Sequence, residues 1–110
     1  MKFFRAERVS ELIRRELGSI IAKEVDFAPG TFVTITDVDV DKKLMHAAVG
    51  VSVIPSGRAE EALAALGRRA GALQRLLLKR INIKPMPLIS FVPDRGLENA
   101  AEVERILGKI

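Results

Sequence analysis

Residues Leu44 to Ile54, LMHAAVGVSVI, constrain this chain more than any other stretch. In an extended strand, Ala47, Val49, Val51 and Val53 share one face, and the alternate positions are mostly small or apolar too. A strand that is apolar on both faces belongs near the centre of a sheet, since a half-wet strand alternates apolar with polar. Its neighbours follow from the connections on either side. TFVTITDVDV, residues 31–40, has the β-branched richness of a strand, and only Asp41, Lys42 and Lys43 separate it from Leu44. So short a link implies an antiparallel hairpin. On the other side, Pro55 and Ser56 end the strand, and Ser56 offers an N-cap for a long helix beginning near Gly57. The prolines of INIKPMP forbid continuing that helix, and LISFV, residues 88–92, reads as a third strand. A helical crossover of roughly 25 residues returns parallel and right-handed beside the second strand.

Ahead of the hairpin, Val9, Leu12, Ile13, Leu17, Ile20 and Ile21 recur at spacings of three and four, so residues 5–25 form an amphipathic helix. FAPG, residues 27–30, ends it. The tail DRGLENAAEVERILGKI carries Leu97, Val103, Ile106 and Leu107 at near-helical spacing, which predicts a short terminal helix. The fold class is α+β: helix, strand, strand, long broken helix with a kink, strand, short helix. A three-stranded mixed sheet is covered on one face by helices and left partly wet on the other. With 110 residues, 48% of them hydrophobic, and no second composition block, residues 1–110 read as a single domain.

Composition narrows the chemistry. There is no cysteine and a single histidine, His46, which excludes disulfides, thiolate chemistry and a soft-metal constellation, and no cofactor is implied. His46 has no nucleophile or serine elbow near it in sequence, so it reads as a histidine at a strand edge. DVDVD, residues 37–41, resembles the first half of a calcium loop. The glycine and glutamate such a loop needs at its sixth and twelfth positions are here Lys42 and Ala48, so Asp37, Asp39 and Asp41 read instead as alternate acids lining a solvated strand face. APG and PSG lack the pattern of a phosphate loop. No set of acid, base and nucleophile emerges, and the expectation is a protein that is not an enzyme. No apolar run approaches a membrane span, and the charged first residues build no signal-peptide core, so a soluble cytoplasmic protein is expected.

Charge clustering is the positive signal. The formal net charge of +4 only favours a polyanionic partner, but its distribution says more. From Gly67 to Pro87 the basic residues Arg68, Arg69, Arg75, Lys79, Arg80 and Lys84 occur with no Asp or Glu among them. On a helix, Arg68, Arg75 and Lys79 fall on one stripe, facing away from Leu66, Ala70 and Leu77, and Arg69 and Arg80 border it. Surfaces kept only for solubility usually mix signs. Within this window, GRRAG places Gly67 and Gly71 inside the helix, each costing about 1 kcal/mol relative to alanine. Two readings account for them. A kink would let the helix wrap the sheet. A break would also expose backbone N–H groups at a second helix start, which with the flanking arginines would seat a phosphate. Lys42 and Lys43 at the hairpin turn and Arg5 and Arg8 at the first helix are candidates to extend the footprint. With no Trp or Tyr and five Phe, rows of stacked aromatics have little material here, and nucleic-acid binding must rest on backbone and charge.

The K homology fold clamps RNA with a GXXG loop between two helices, and the element order here is compatible with its type II topology. RVSELIRREL, FVTITDVDV, HAAVGVSV, AGALQRLL and PLISFVPDRGLENAAEVERIL, in this order and spacing, resemble the ribosome-binding factor A family over nearly the whole chain. The resemblance implies a K homology type II fold in which an Ala-x-Gly kink replaces the GXXG loop. Gly71 matches the kink glycine, the family's alanine falls at Arg69, and Gly67 is an additional glycine. It also implies a monomeric, non-enzymatic cytoplasmic factor that binds the immature 30S ribosomal subunit and its 16S rRNA, assists late maturation and processing, and supports growth in the cold. From the residues alone, the reading stops at an RNA-backbone binder. The alternative is an adaptor whose basic kinked helix docks on an acidic protein.

Overall fold

A computed structural model of the chain describes residues 5–94. The elements are α1 (Arg5–Glu24), β1 (Phe32–Val40), β2 (His46–Ile54), a 3-10 turn (Ser56–Arg58), α2 (Ala59–Arg80) and β3 (Leu88–Pro93). The sheet order is β1-β2-β3, with β1 antiparallel and β3 parallel to β2, which places the doubly apolar strand at the centre. The mixed α+β topology expected from the sequence is the one observed. The terminal helix expected in the tail lies outside the described residues.

α1 and α2 cover one face of the sheet. From α1, Ile13, Leu17 and Ile20 are buried, and from α2, Leu66, Leu73 and Leu77, against Ala47, Val49, Val51 and Val53 of β2 and Ile89 of β3. β1 carries a bulge between Ile35 and Asp37, and Gly50 lies beneath it. A Cβ at Gly50 would stand 3.2 Å from Thr36 Oγ1 and 3.5 Å from the Asp37 carbonyl oxygen, so a larger residue fits there only if the Thr36 side chain gives way by a few tenths of an ångström.

Three local expectations need correction. β2 begins at His46 rather than Leu44, because the Asp41 carboxylate takes up the Met45 amide at 2.7 Å and Leu44 turns to φ 58°. Ser56 does not cap the long helix. It opens the 3-10 turn, in which the Arg58 amide donates to the Pro55 carbonyl at 3.0 Å, and α2 starts at Ala59 with no side-chain cap.

The third correction concerns GRRAG. α2 is one uninterrupted α-helix of 22 residues through both Gly67 and Gly71, not two helices separated by a break. Non-local packing decides this. Burying Leu66 on one side of the glycines and Leu73 and Leu77 on the other contributes on the order of 2 kcal/mol per side chain. That exceeds the roughly 1 kcal/mol each glycine costs.

At the far end of α2, the Gln74 side chain ties the helix to the sheet. Its Nε2 donates to the Pro87 carbonyl at 2.9 Å, and its Oε1 accepts the Ile89 amide at 2.9 Å. β3 is an edge strand, so this side chain satisfies backbone groups that the ladder leaves open.

Candidate nucleic-acid interface

The buried stripe of α2, Ala62, Leu66, Leu73 and Leu77, turns the opposite stripe outward, and Arg68, Arg75 and Lys79 are all exposed there. None of these three has an ion-pair or hydrogen-bond partner among the described residues. The bordering arginines differ. Arg69 Nη2 lies 3.7 Å from Glu24 Oε1, and Arg80 Nη1 lies 3.5 Å from Glu16 Oε1 and donates to Ser19 Oγ at 3.2 Å. Both partners belong to α1, which runs antiparallel to α2. The window that lacks acids in sequence is therefore faced by acids in space. Arg68 itself lines a groove with Asp26 and Glu61 on its wall.

An amide seat for phosphate does not exist at GRRAG, since the helical hydrogen bonding runs through it. Neither glycine is demanded by packing. Among the described residues, a Cβ at Gly67 would meet nothing within 4 Å, and one at Gly71 would meet only Arg75 Nη1, at 3.7 Å. Gly71 instead leaves a low place in the helix surface over which the Arg75 guanidinium lies.

The other basic residues converge elsewhere. Arg5, at the start of α1, donates through Nη2 to the Lys84 carbonyl at 3.3 Å and so joins the first helix to the α2–β3 loop. Arg5, Arg8, Asn82 and Lys84 line a groove of about 240 Å³. A larger one, about 610 Å³, is lined by Arg5, Lys42, Lys43, Leu44 and Pro85, with Glu7 on its wall. Glu24, beside Arg69, is at the opposite end of α1, and 20 helical residues span about 30 Å. The sequence-predicted residues are thus spread along the molecule, with Arg69 toward one end and Arg5, Arg8, Lys42, Lys43 and Lys84 at the other.

Asp41 departs from the solvated face on which the sequence placed it beside Asp37 and Asp39, and its role in the turn is what sequence reasoning missed. It is buried, accepts the Met45 amide at 2.7 Å and the His46 amide at 3.3 Å, and meets His46 Nδ1 at 3.3 Å. Burial alone would raise its carboxyl pKa. The two amides and the His46 ring more than reverse this, and the net shift is below the ordinary aspartate value. The signal was an aspartate opening a hairpin turn, a position where its side chain commonly takes up nearby amides. Asp41 fixes the turn that carries Lys42 and Lys43. His46 is its partner, at the start of the central strand.

Among the described residues, no group of three or more His, Cys, Asp or Glu could hold a metal ion, and no helix is long and apolar enough to cross a membrane.

Comparison with known proteins bears on this geometry. A family model described as ribosome-binding factor A matches residues 5–107. Ribosome-binding factor A of Thermomicrobium roseum is 36% identical over 111 aligned positions, covering 100% of this chain and 86% of that protein. The Halothermothrix orenii protein of the same name is 34% identical, covering 100% of this chain and 91% of the relative. The crystal structure of ribosome-binding factor A from Thermus thermophilus superposes with a TM-score of 0.73 at 24% identity, over 83% of this chain and 98% of that one, and supports the fold. A homology model of the T. thermophilus factor, fitted into a cryo-EM map of its complex with 30S, superposes with a TM-score of 0.55 at 26% identity. It covers 74% of this chain and 90% of that one.

Proposed function

The chain belongs to the ribosome-binding factor A family, and from that premise we propose that it binds the immature 30S ribosomal subunit, contacting the 16S rRNA backbone through its exposed cations. The observation that carries this reading is the similarity to a T. thermophilus factor fitted into a 30S complex. The surface is consistent with it: Arg68, Arg75 and Lys79 are exposed on the outward stripe of α2 with no ion-pair partner among the described residues, where a phosphate can replace solvent. With no Trp or Tyr in the sequence, such contacts read the shape and charge of folded RNA rather than its bases.

The role is binding, not catalysis. The protein assists late maturation and processing of 16S rRNA in the cytoplasm, acts as a monomer, and supports growth in the cold. Sedimentation of the purified protein with immature 30S subunits over a series of salt concentrations tests the binding. Co-sedimentation that falls steeply with salt is expected, because each neutralised phosphate releases counterions. A protein that stays unbound at low salt would overturn the reading. Deleting the gene tests the role: precursor 16S rRNA should accumulate, most strongly at low temperature, and normal processing would refute it.

A further inference from the structure

We infer that the end of the molecule where α1 begins, the β1–β2 turn closes and the α2–β3 loop passes is a phosphate-backbone seat in its own right, with Arg5 between two adjoining grooves. This inference rests on the 30S-binding reading and names a part of the surface that would serve it.

Three segments far apart in sequence bring their cations here: Arg5 and Arg8, Lys42 and Lys43, and Lys84. Arg5 lines both grooves, with Arg8 and Lys84 on one side of it and Lys42 and Lys43 on the other. Two grooves sharing one cationic wall suit two successive phosphates of a strand better than a single small anion. Among the described residues, five cations face one acid on these walls, Glu7, whereas Arg69 and Arg80 of α2 each spend their charge on a glutamate of α1. Concave surfaces lined by one sign of charge concentrate the field that draws in a polyanion.

The seat is also held in shape. The Arg5 guanidinium donates to the Lys84 carbonyl, which fixes the start of α1 against the α2–β3 loop. Asp41, with the Met45 and His46 amides, fixes the turn that presents the two lysines, and Leu44 is buried beneath it at φ 58°. The Leu88 amide donates to the Met45 carbonyl at 2.9 Å and ties the turn to β3. Cations on a pre-ordered framework lose less freedom on binding than cations on a loose loop.

The test compares K42E/K43E and R8E/K84E with R68E/R75E/K79E, in the full chain. The four end residues are exposed and their side chains have no partner among the described residues, so folding should persist, as circular dichroism and a thermal melt will report. Binding is measured to purified immature 30S subunits and to naked 16S rRNA across a salt series. Each end variant should weaken binding to both by tenfold or more, and flatten the plot of log K against log salt by about one unit for each phosphate no longer neutralised. If wild type binds 30S subunits and both end variants bind like wild type, the seat is refuted while the 30S reading stands. If wild type itself does not bind, the 30S reading fails first. A loss on subunits without any loss on naked 16S rRNA would assign the end to an acidic ribosomal protein and overturn the seat.

Discussion

Arg75 lies over Gly71: its Nη1 is 3.7 Å from the point where a side chain at Gly71 would begin. The two are one helical turn apart, so the absent side chain leaves the arginine a shelf on the helix surface. The helix runs unbroken through both residues, which changes what a substitution should do.

Gly71→Ala should stabilise the protein. The new methyl makes ordinary van der Waals contact at 3.7 Å, and a helix-interior glycine is removed, a gain of about 1 kcal/mol or several degrees in Tm. Gly67→Ala should behave alike, since its Cβ would meet nothing within 4 Å. Thermal melts check both. If Gly71→Ala instead lowered Tm, or raised it while abolishing 30S binding, glycine would be needed at that site for a bent helix or for close approach of RNA.

The cations of α2 should rank by whether they are already paired. Replacing Arg75 or Lys79 by glutamine removes a free charge and should cost several-fold in 30S affinity at low salt, with a shallower salt dependence. Arg69→Gln should cost less, because that guanidinium is 3.7 Å from the Glu24 carboxylate. Stability should move by under about 1 kcal/mol in every case, as exposed pairs contribute little. Equal losses for paired and free residues would show that the α1 carboxylates do not compete with RNA.

Gln74→Ala should destabilise far more than its polar surface suggests. It leaves the Ile89 amide and the Pro87 carbonyl without the side chain that serves both, at a cost of about 1–3 kcal/mol. Urea unfolding measures the loss, and hydrogen exchange at the Ile89 amide should quicken. Unchanged exchange there would mean that water or another group replaces the glutamine.

Asp41 makes the fold acid-sensitive in a defined direction. Its folded-state pKa is below its unfolded value, so its stabilisation is complete above the ordinary aspartate range and is lost as pH falls through the lowered value. Asp41→Asn should therefore be less stable than wild type near neutral pH, and the gap should close on acidification below about pH 4. Melts from pH 7 to pH 3 follow this. A gap that did not depend on pH would locate the loss in the altered hydrogen bonds rather than in the charge.

Local patterning by itself determined most of the architecture. The short link after Val40 made the hairpin antiparallel, the two-faced apolarity of the strand that follows made β2 central, and the helical crossover made β3 parallel. Spacings of three and four placed Ile13, Leu17, Leu66, Leu73 and Leu77 in the core. These features were legible because backbone geometry ties residue spacing to a face, with period two or 3.6. The candidate site was legible only as a set of cations. Whether GRRAG breaks the helix depended on burial on both sides of it, which outweighs a local preference of about 1 kcal/mol per glycine. Which arginines remain free depended on α1 lying antiparallel to α2 and bringing Glu16 and Glu24 to Arg80 and Arg69. The meeting of Arg5, Lys42, Lys43 and Lys84 at one end likewise needed the whole fold, because Coulomb interactions act through distance in space, and sequence separation carries no information about it.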